Sequence, residues 1–373
     1  MKRKKVLIDT FCLVTASTGI RTYTIELCKS MDEFAHLSGL DFELSLSLEK
    51  MSRSTFLKGK LPVFKKIFHH VAYFIWKQIW LPLIIIFKRV DVVICPDFVV
   101  PMFCTASLKL AVVHDAFFWE LPTHYNKFWR SYYLKMVALG LSRKAKVVTT
   151  SQYAKQKLKG YLKTVDIEVI YQCPKPLDKV STPSSPMDYD FKEEEYILHI
   201  GYFDKRKNLQ HLVKSFDRFI KEVKDENIKL VLAGGPATSP DLNDYDNVIE
   251  LVAKLNLQDR VSFLGFVPDA LLSGLYKNAL FYVFPSYDEG FGIPVIEAMN
   301  SDLPVIVSDK GALPEVGSDA VLIFQNSIQE DLQKKMVLLY QDVNLREILI
   351  AKGKLRAKEF SRLNFFNGFK KLI

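Results

Sequence analysis

The sequence is short of several things, and each shortage excludes something. Its 373 residues contain only five cysteines, Cys12, Cys28, Cys95, Cys104 and Cys173. The number is odd, no CxxC pair occurs, and no Cys/His cluster has metal-ligand spacing, so a zinc module and a disulfide scaffold are both excluded. All but Cys173 sit among apolar residues, where a thiol packs as a small hydrophobe, and the usage fits a reducing, cytosolic compartment. There is no P-loop, no Ser/His/Asp order and no short-period repeat. The longest apolar run, Val71 to Phe87, has 17 residues and is interrupted by Lys77, Gln78 and Pro82. That is below the ~20 residues a spanning helix needs. The start, MKRKKVLIDTF, has a basic beginning like a signal peptide, but Asp9 stops the apolar run after three residues, so a first β-strand is expected. Acids are missing altogether from Lys50 to Val90, a stretch with nine Lys and Arg and two His.

What is present is a charge asymmetry. The chain carries a formal +9, made of +14 over residues 1 to 180 and −5 over residues 181 to 373. A basic half points toward an anionic partner: a membrane surface, a nucleic acid or a phosphorylated substrate. At about 100° per residue, Lys65, Lys66, His69, His70 and Lys77 share one helical face. Tyr73, Trp76 and Trp80 fall on or beside it, and Phe64, Ile67, Phe68, Val71, Phe74 and Ile75 fall opposite. Such a helix, within residues 56 to 90, suits an anionic membrane interface. A core helix with a solvated basic face is the alternative.

Along the chain, short β-rich runs alternate with helical stretches. The first half has strand-like runs at Val6–Asp9, Val92–Cys95, Leu110–His114, Val147–Thr150 and Ile167–Tyr171. Residues 172 to 190, rich in Pro and Ser, read as a linker region, with the linker itself at 176 to 190. Beyond it, strands at Tyr196–Gly201, Lys229–Gly234, Val261–Gly265, Leu280–Pro285, Pro304–Ser308 and Ala320–Phe324 alternate with helices at Asn208–Val223, Asn247–Leu255, Asp269–Asn278 and Pro294–Met299. Strands that are apolar from end to end and alternate with helices predict a parallel sheet covered on both faces. The expectation is therefore two doubly wound α/β domains, residues 1–175 and 191–356, facing a central cleft, with ligands at the carboxyl ends of the strands.

Two constellations could carry chemistry. Gly201-Tyr-Phe-Asp-Lys-Arg-Lys-Asn208 leaves a strand and opens a helix with three consecutive cations, Lys205, Arg206 and Lys207. A helix N-terminus and adjacent cations suit a diphosphate, although a solvated basic turn has the same composition. Pro285-Ser-Tyr-Asp-Glu-Gly-Phe-Gly-Ile-Pro-Val-Ile-Glu297 places Glu289 on a loop and Glu297 one turn into a helix. Gly290 and Gly292 let the backbone approach a ligand, and carboxylates accept strong hydrogen bonds from sugar hydroxyls.

The Glu289-to-Glu297 segment resembles the EX7E motif of the retaining family 4 glycosyltransferases, which have the GT-B fold. The resemblance runs, in order, from about residue 5 to 325. Gly201…Arg206-Lys207-Asn208 is similar to the family's RKN turn, Leu264-Gly265-Phe266-Val267 before Leu275-Tyr276 to its "GYV…LY" region, and Gly311-Ala-Leu-Pro-Glu315 to its "ALPE" turn. Gly19-Ile-Arg-Thr-Tyr23 is similar to its "GIGRY" loop, Val113-His114-Asp115 with Leu121-Pro122 to its "HD…P" element, and Thr150-Ser151-Gln152-Tyr153 to its "TSEFS" element. Tyr202 departs from the Arg or Lys that many members carry there, and Lys205 takes a share of that load. Asp302 stands in place of the usual glycine before "xPV".

The resemblance implies roles. Arg206 and Lys207 would neutralise the diphosphate of a nucleotide sugar in place of a metal. Glu297 would accept bonds from the ribose. Glu289 would hold the donor sugar with the backbone N–H groups of Gly290, Phe291 and Gly292, beside Gly201. His114 would contact that sugar, and Gly19 would bring backbone N–H groups near the phosphate or acceptor. On its own, His114 could equally be a buried histidine satisfying a core hydrogen bond, and Asp115 is expected to be structural. The implied enzyme is a retaining, metal-independent hexosyltransferase with no cofactor beyond its donor, GDP-mannose first and a UDP-sugar second. Its acceptor would be a lipid-linked glycan or oligosaccharide at the inner face of the cytoplasmic membrane, in bacterial surface-polysaccharide synthesis. The last helix, 357–373, would return to the first domain. A non-catalytic homologue binding membrane or nucleic acid is the competing class. The presence of both glutamates and both cations, and the lack of a nucleic-acid motif, argue against it.

Overall fold

The computed structural model describes residues 3–14, 16, 19–48, 63–122, 126–141, 144–177, 195–237 and 240–373. The expected linker at 176–190 lies outside the described residues from 178 onward, and so do residues 49–62 of the basic stretch. The chain divides into two units, Met1–Lys175 with Phe360–Ile373, and Pro176–Glu359.

The first unit holds six parallel strands: β1 Lys4–Ile8, β2 Leu40–Leu44, β3 Val92–Cys95, β4 Leu108–Val112, β5 Ala145–Thr149 and β6 Asp166–Val169. Their order is β2-β1-β3-β4-β5-β6. Alternate side chains serve opposite faces, as a strand requires. Val6, Ile8, Ile94 and Val112 pack with Tyr23, Leu27, Phe365 and Phe369 on one face. Leu7, Val93, Ala111 and Val147 pack with Leu81, Ile85 and Val137 on the other. The last helix, Arg362–Leu372, is therefore part of this unit's core, and Arg362 ties it to Glu26 at 2.6 Å. Cys173 is buried in the same core, so it too packs as a small hydrophobe, contrary to its polar sequence surroundings. No disulfide joins any of the five cysteines.

The second unit holds β7 Tyr196–Ile200, β8 Lys229–Ala233, β9 Val261–Gly265, β10 Phe281–Phe284, β11 Val305–Ser308 and β12 Leu322–Phe324. The order is β12-β11-β10-β7-β8-β9, again all parallel. Leu212, Phe216 and Phe219 of the helix Leu209–Val223 cover one face with Leu332 and Met336.

Each sheet has one point where the chain stops adding strands on one side and begins on the other. In the first unit this falls between β1 and β3, in the second between β7 and β10. Loops leaving the carboxyl ends of two such strands splay apart and leave a crevice, where ligands of doubly wound sheets sit. The residues just beyond those four strand ends therefore matter most: Asp9, Asp97, Gly201 and the 285–292 loop.

The basic helix corrects an expectation. It runs as Val63–Ile75, a wide π turn at Trp76–Trp80, and Leu81–Lys88. Lys77 was expected on an outward basic face with Tyr73 and Trp76 beside it. Instead its ammonium is fully buried, 2.6 Å from Asp9 Oδ2 and 2.5 Å from Asp97 Oδ1. Trp76 donates to Asp9 and Tyr73 to Asp97. Burial alone would pull the Lys77 ammonium down, but the charges of Asp9 and Asp97 outweigh it and hold it well above its usual range. His69 stacks on Phe11, and His70 accepts from Trp129, so both turn toward the unit as well. From Phe68 onward the helix presents its polar side to the protein and its apolar side outward.

Candidate active site

In the second unit the two sequence constellations meet. Asp204 caps the turn Lys205–Lys207, its Oδ1 accepting from the Arg206 backbone N–H at 2.8 Å. The same carboxylate grips the Arg206 side chain at two points, 3.1 Å from Nε and 2.9 Å from Nη2. The turn closes on Asn208 in the left-handed region, φ 56°, before the helix begins at Leu209. The Tyr287 N–H donates to the Arg206 carbonyl at 2.7 Å, which binds this turn to the loop after β10.

That contact sets Lys207 against Glu289, with Nζ 2.6 Å from Oε1 and both side chains 17% exposed. The Lys207 ammonium also lies 4.5 Å from the centre of the Phe284 ring. Lys205 remains exposed. Glu297 is the other informative carboxylate. It lies inside the helix Ile293–Asn300 yet is only 6% exposed, and Tyr276 donates to its Oε2 at 3.0 Å. Burial and the neighbouring Glu297 both hold the Tyr276 hydroxyl well above its usual range, so it stays a donor. A buried carboxylate costs free energy unless it is bonded, and the Tyr276 hydroxyl supplies that bond, so Glu297 is not on a solvated helix face.

Glycines shape the loops around these groups. Gly292, at φ +109°, caps that helix, and the buried Phe291 precedes it. Gly311 lies against Glu289: a Cβ there would come within 2.5 Å of the Glu289 backbone nitrogen, while the Ala312 N–H donates to the Glu289 carbonyl at 2.9 Å. Gly234, at φ +141°, presses on the turn that follows β7, since its Cβ would stand 1.9 Å from the Gly201 carbonyl oxygen. No role for Gly234, Tyr276 or Gly311 is visible in the sequence, although Tyr276 and Gly311 stand in the "GYV…LY" and "ALPE" segments. His199 was missed too. Its ring is buried beneath the turn, stacked with Tyr282 and Phe284, and its Nδ1 is 2.9 Å from the Val283 carbonyl. Burial pulls it down to about 3. Nothing in its flanking residues signals this.

The remaining two candidates lie in the first unit. His114 follows β4, half-buried, with Nε2 2.8 Å from the Pro96 carbonyl. That bond places the proton on Nε2 and leaves Nδ1 as the acceptor. Burial pulls the ring down to about 4, so it is neutral at pH 7. Gly19 is the exposed first residue of the helix Gly19–Phe34, and Tyr23, one turn on, meets the His114 ring edge-on at 4.7 Å. Asp115 accepts from the Phe117 N–H, the structural role expected of it. Among the described residues, no group of three or more His, Cys, Asp or Glu is placed to hold a metal ion.

Two doubly wound parallel units, the second with paired cations and glutamates beyond its strand ends, define the GT-B class. A sucrose-phosphate synthase from Thermosynechococcus elongatus shares this fold, with a TM-score of 0.72, 18% identity, and 99% of this chain and 98% of that one covered. Residues 187–356 match the family model of the glycosyl transferases group 1. Over 285 residues the chain is 28% identical to the O-antigen chain mannosyltransferase B of Escherichia coli, covering 71% of this chain and 69% of that one. It is 32% identical over 213 residues to the O-antigen chain mannosyltransferase RfbU of Salmonella typhimurium, spanning only 54% of that protein. The protein is a glycosyltransferase, similar to the mannosyltransferases of family 4.

Proposed function

We propose that this glycosyltransferase moves a hexose from a nucleotide diphosphate sugar to a glycan or lipid-linked acceptor with retention of anomeric configuration and without a metal. The observation that carries the reading is the Lys207–Glu289 pair, 2.6 Å apart beside the Arg206 turn. An ammonium has three donors, so Lys207 can hold Glu289 and still donate to a diphosphate oxygen. The bond from the sugar's anomeric carbon to the diphosphate breaks, and negative charge gathers on the leaving oxygen. Lys207 and Arg206 lie where that charge develops, which is electrostatic catalysis at fixed positions. The acceptor hydroxyl attacks the anomeric carbon from the same face, and its proton passes to the departing diphosphate oxygen. Glu289 orients the sugar, and Glu297, kept in place by Tyr276, receives the ribose hydroxyls.

Similarity to two O-antigen mannosyltransferases supports mannose from GDP-mannose, with a UDP-hexose as the second donor. It also supports polysaccharide synthesis as the setting, and the place proposed for it is the inner face of the cytoplasmic membrane. The test is a thermal-shift screen against GDP and UDP sugars followed by transfer assays, since a ligand that binds only the folded state raises its stability. GDP-mannose is expected to give the largest shift. Glu289→Ala and Lys207→Ala are each expected to lower turnover by about a hundredfold or more with the melting temperature little changed. Full activity in either variant, or no turnover of any sugar nucleotide by the parent protein, refutes the assignment.

A further inference from the structure

From Phe68 to Phe87 the helix spends its polar side on the first unit, and its outward side is hydrocarbon. Tyr73, Lys77, Leu81 and Ile85, every fourth residue, face inward. The positions between them face out: Val71, Ile75, Ile79, Leu83 and Phe87 are each between 37% and 81% exposed. A spacing of four drifts around an ordinary helix of 3.6 residues per turn. The π turn at Trp76–Trp80 has more residues per turn and takes up that drift, so both stripes stay straight past Lys77. The π turn therefore serves both faces at once.

Resting on the proposed setting at a membrane, we infer that this stripe is a docking surface for a lipid bilayer, inserting at the acyl-chain boundary. Three observations choose lipid as the occupant. The helix Phe68–Lys88 is, by length and composition, apolar enough to enter a membrane, yet Lys77, Leu81 and Ile85 anchor it to the sheet, so it lies against the unit rather than standing free. The stripe has no hydrogen-bonding side chain with which a protein partner could be specified, and a bilayer needs none. Its borders are cationic and aromatic: Lys88 and Arg89 are exposed at its end, Trp80 beside it. On the neighbouring helix Lys127–Leu141, joined to it by Trp129 and His70, Lys127 and Phe128 are exposed. Lys77 is spent on Asp9 and Asp97 and Lys88 pairs with Glu43, so the charge offered to anionic head groups comes from Arg89 at the end of the stripe and Lys127 beside it. The apolar stripe supplies the binding and the cations add to it, which reverses the emphasis on a basic face.

The experiment is co-sedimentation of the full chain with phosphatidylglycerol vesicles and with phosphatidylcholine vesicles, at low and high salt. The parent protein is expected to bind anionic vesicles more tightly and to retain binding at high salt. The triple variant Ile79→Ser, Leu83→Ser, Phe87→Ser should lose affinity for both by at least about tenfold, with an unchanged or raised melting temperature. Lys65→Gln with Lys66→Gln should remove only salt-sensitive binding. Equal binding by parent and triple variant overturns the inference, as does complete loss of parent binding at high salt. A parent dimer that the triple variant dissolves also overturns it, because a second copy is then the occupant. Sugar-nucleotide turnover, measured on the same preparations, separates the two readings: binding through the stripe without turnover would leave the docking surface standing and remove the enzyme assignment.

Discussion

Single residues carry most of what distinguishes this chain from a generic α/β protein, and His199 is the least visible of them. Its ring lies fully buried under the Gly201 turn, neutral, and pulled down to about 3. A histidine whose folded pKa is depressed below its ordinary 6.5 adds stability that is present above 6.5 and lost as pH falls toward 3. His114, pulled to about 4, acts in the same direction. His199→Phe is therefore expected to flatten the fall in unfolding free energy between pH 7 and about pH 4, relative to the parent, in urea titrations. Identical pH slopes would show that this ring is not the acid-sensitive group. Glu289 and Glu297 were legible because their spacing and glycines form a motif. His199 was not, because a histidine in a strand looks the same whether it is buried over a turn or exposed at an edge.

At the scale of the element, two close approaches decide the local fold. Gly234 stands at φ +141° with no room for a Cβ against the Gly201 carbonyl. Gly234→Ala should cost about 2 kcal/mol or more and weaken donor binding, since the turn must move away. A variant that melts and binds donor as the parent does would show the turn to be pliable. The other approach is Lys77 between Asp9 and Asp97. Lys77→Met leaves two buried carboxylates without their cation and should cost about 3–5 kcal/mol in denaturant unfolding. Adding Asp9→Asn and Asp97→Asn should recover much of that loss; no recovery would mean that packing, not charge, is what Lys77 contributes. A helical wheel put Lys77 in solvent because a wheel knows neither the π turn nor the two aspartates, which the sheet brings in from the ends of β1 and β3. The edge strand Leu40–Leu44 was missed for a related reason. It alternates Asp41 and Glu43 with apolar residues and is half-exposed, so it lacks the solid apolar run that disclosed the inner strands.

For the molecule as a whole, the second unit was read from the sequence nearly strand for strand, with β9 matching at both ends and the others within two residues. Its elements are short, contiguous and separated by clear turn residues, so local pattern suffices. The first unit resists that approach because it is not contiguous. Phe365, Phe366 and Phe369 fill the same core as Val6, Ile8 and Tyr23, and the Lys4 ammonium donates to the Ile373 carbonyl. The order of synthesis therefore differs from the order of completion. A ribosome emits all of β7 to β12 before it emits the helix that seals the first sheet, so the second unit is free to fold first. Until that helix arrives, the first unit holds an open apolar face over Tyr23 and Leu27, which makes the interval before residues 362–372 emerge its most aggregation-prone one.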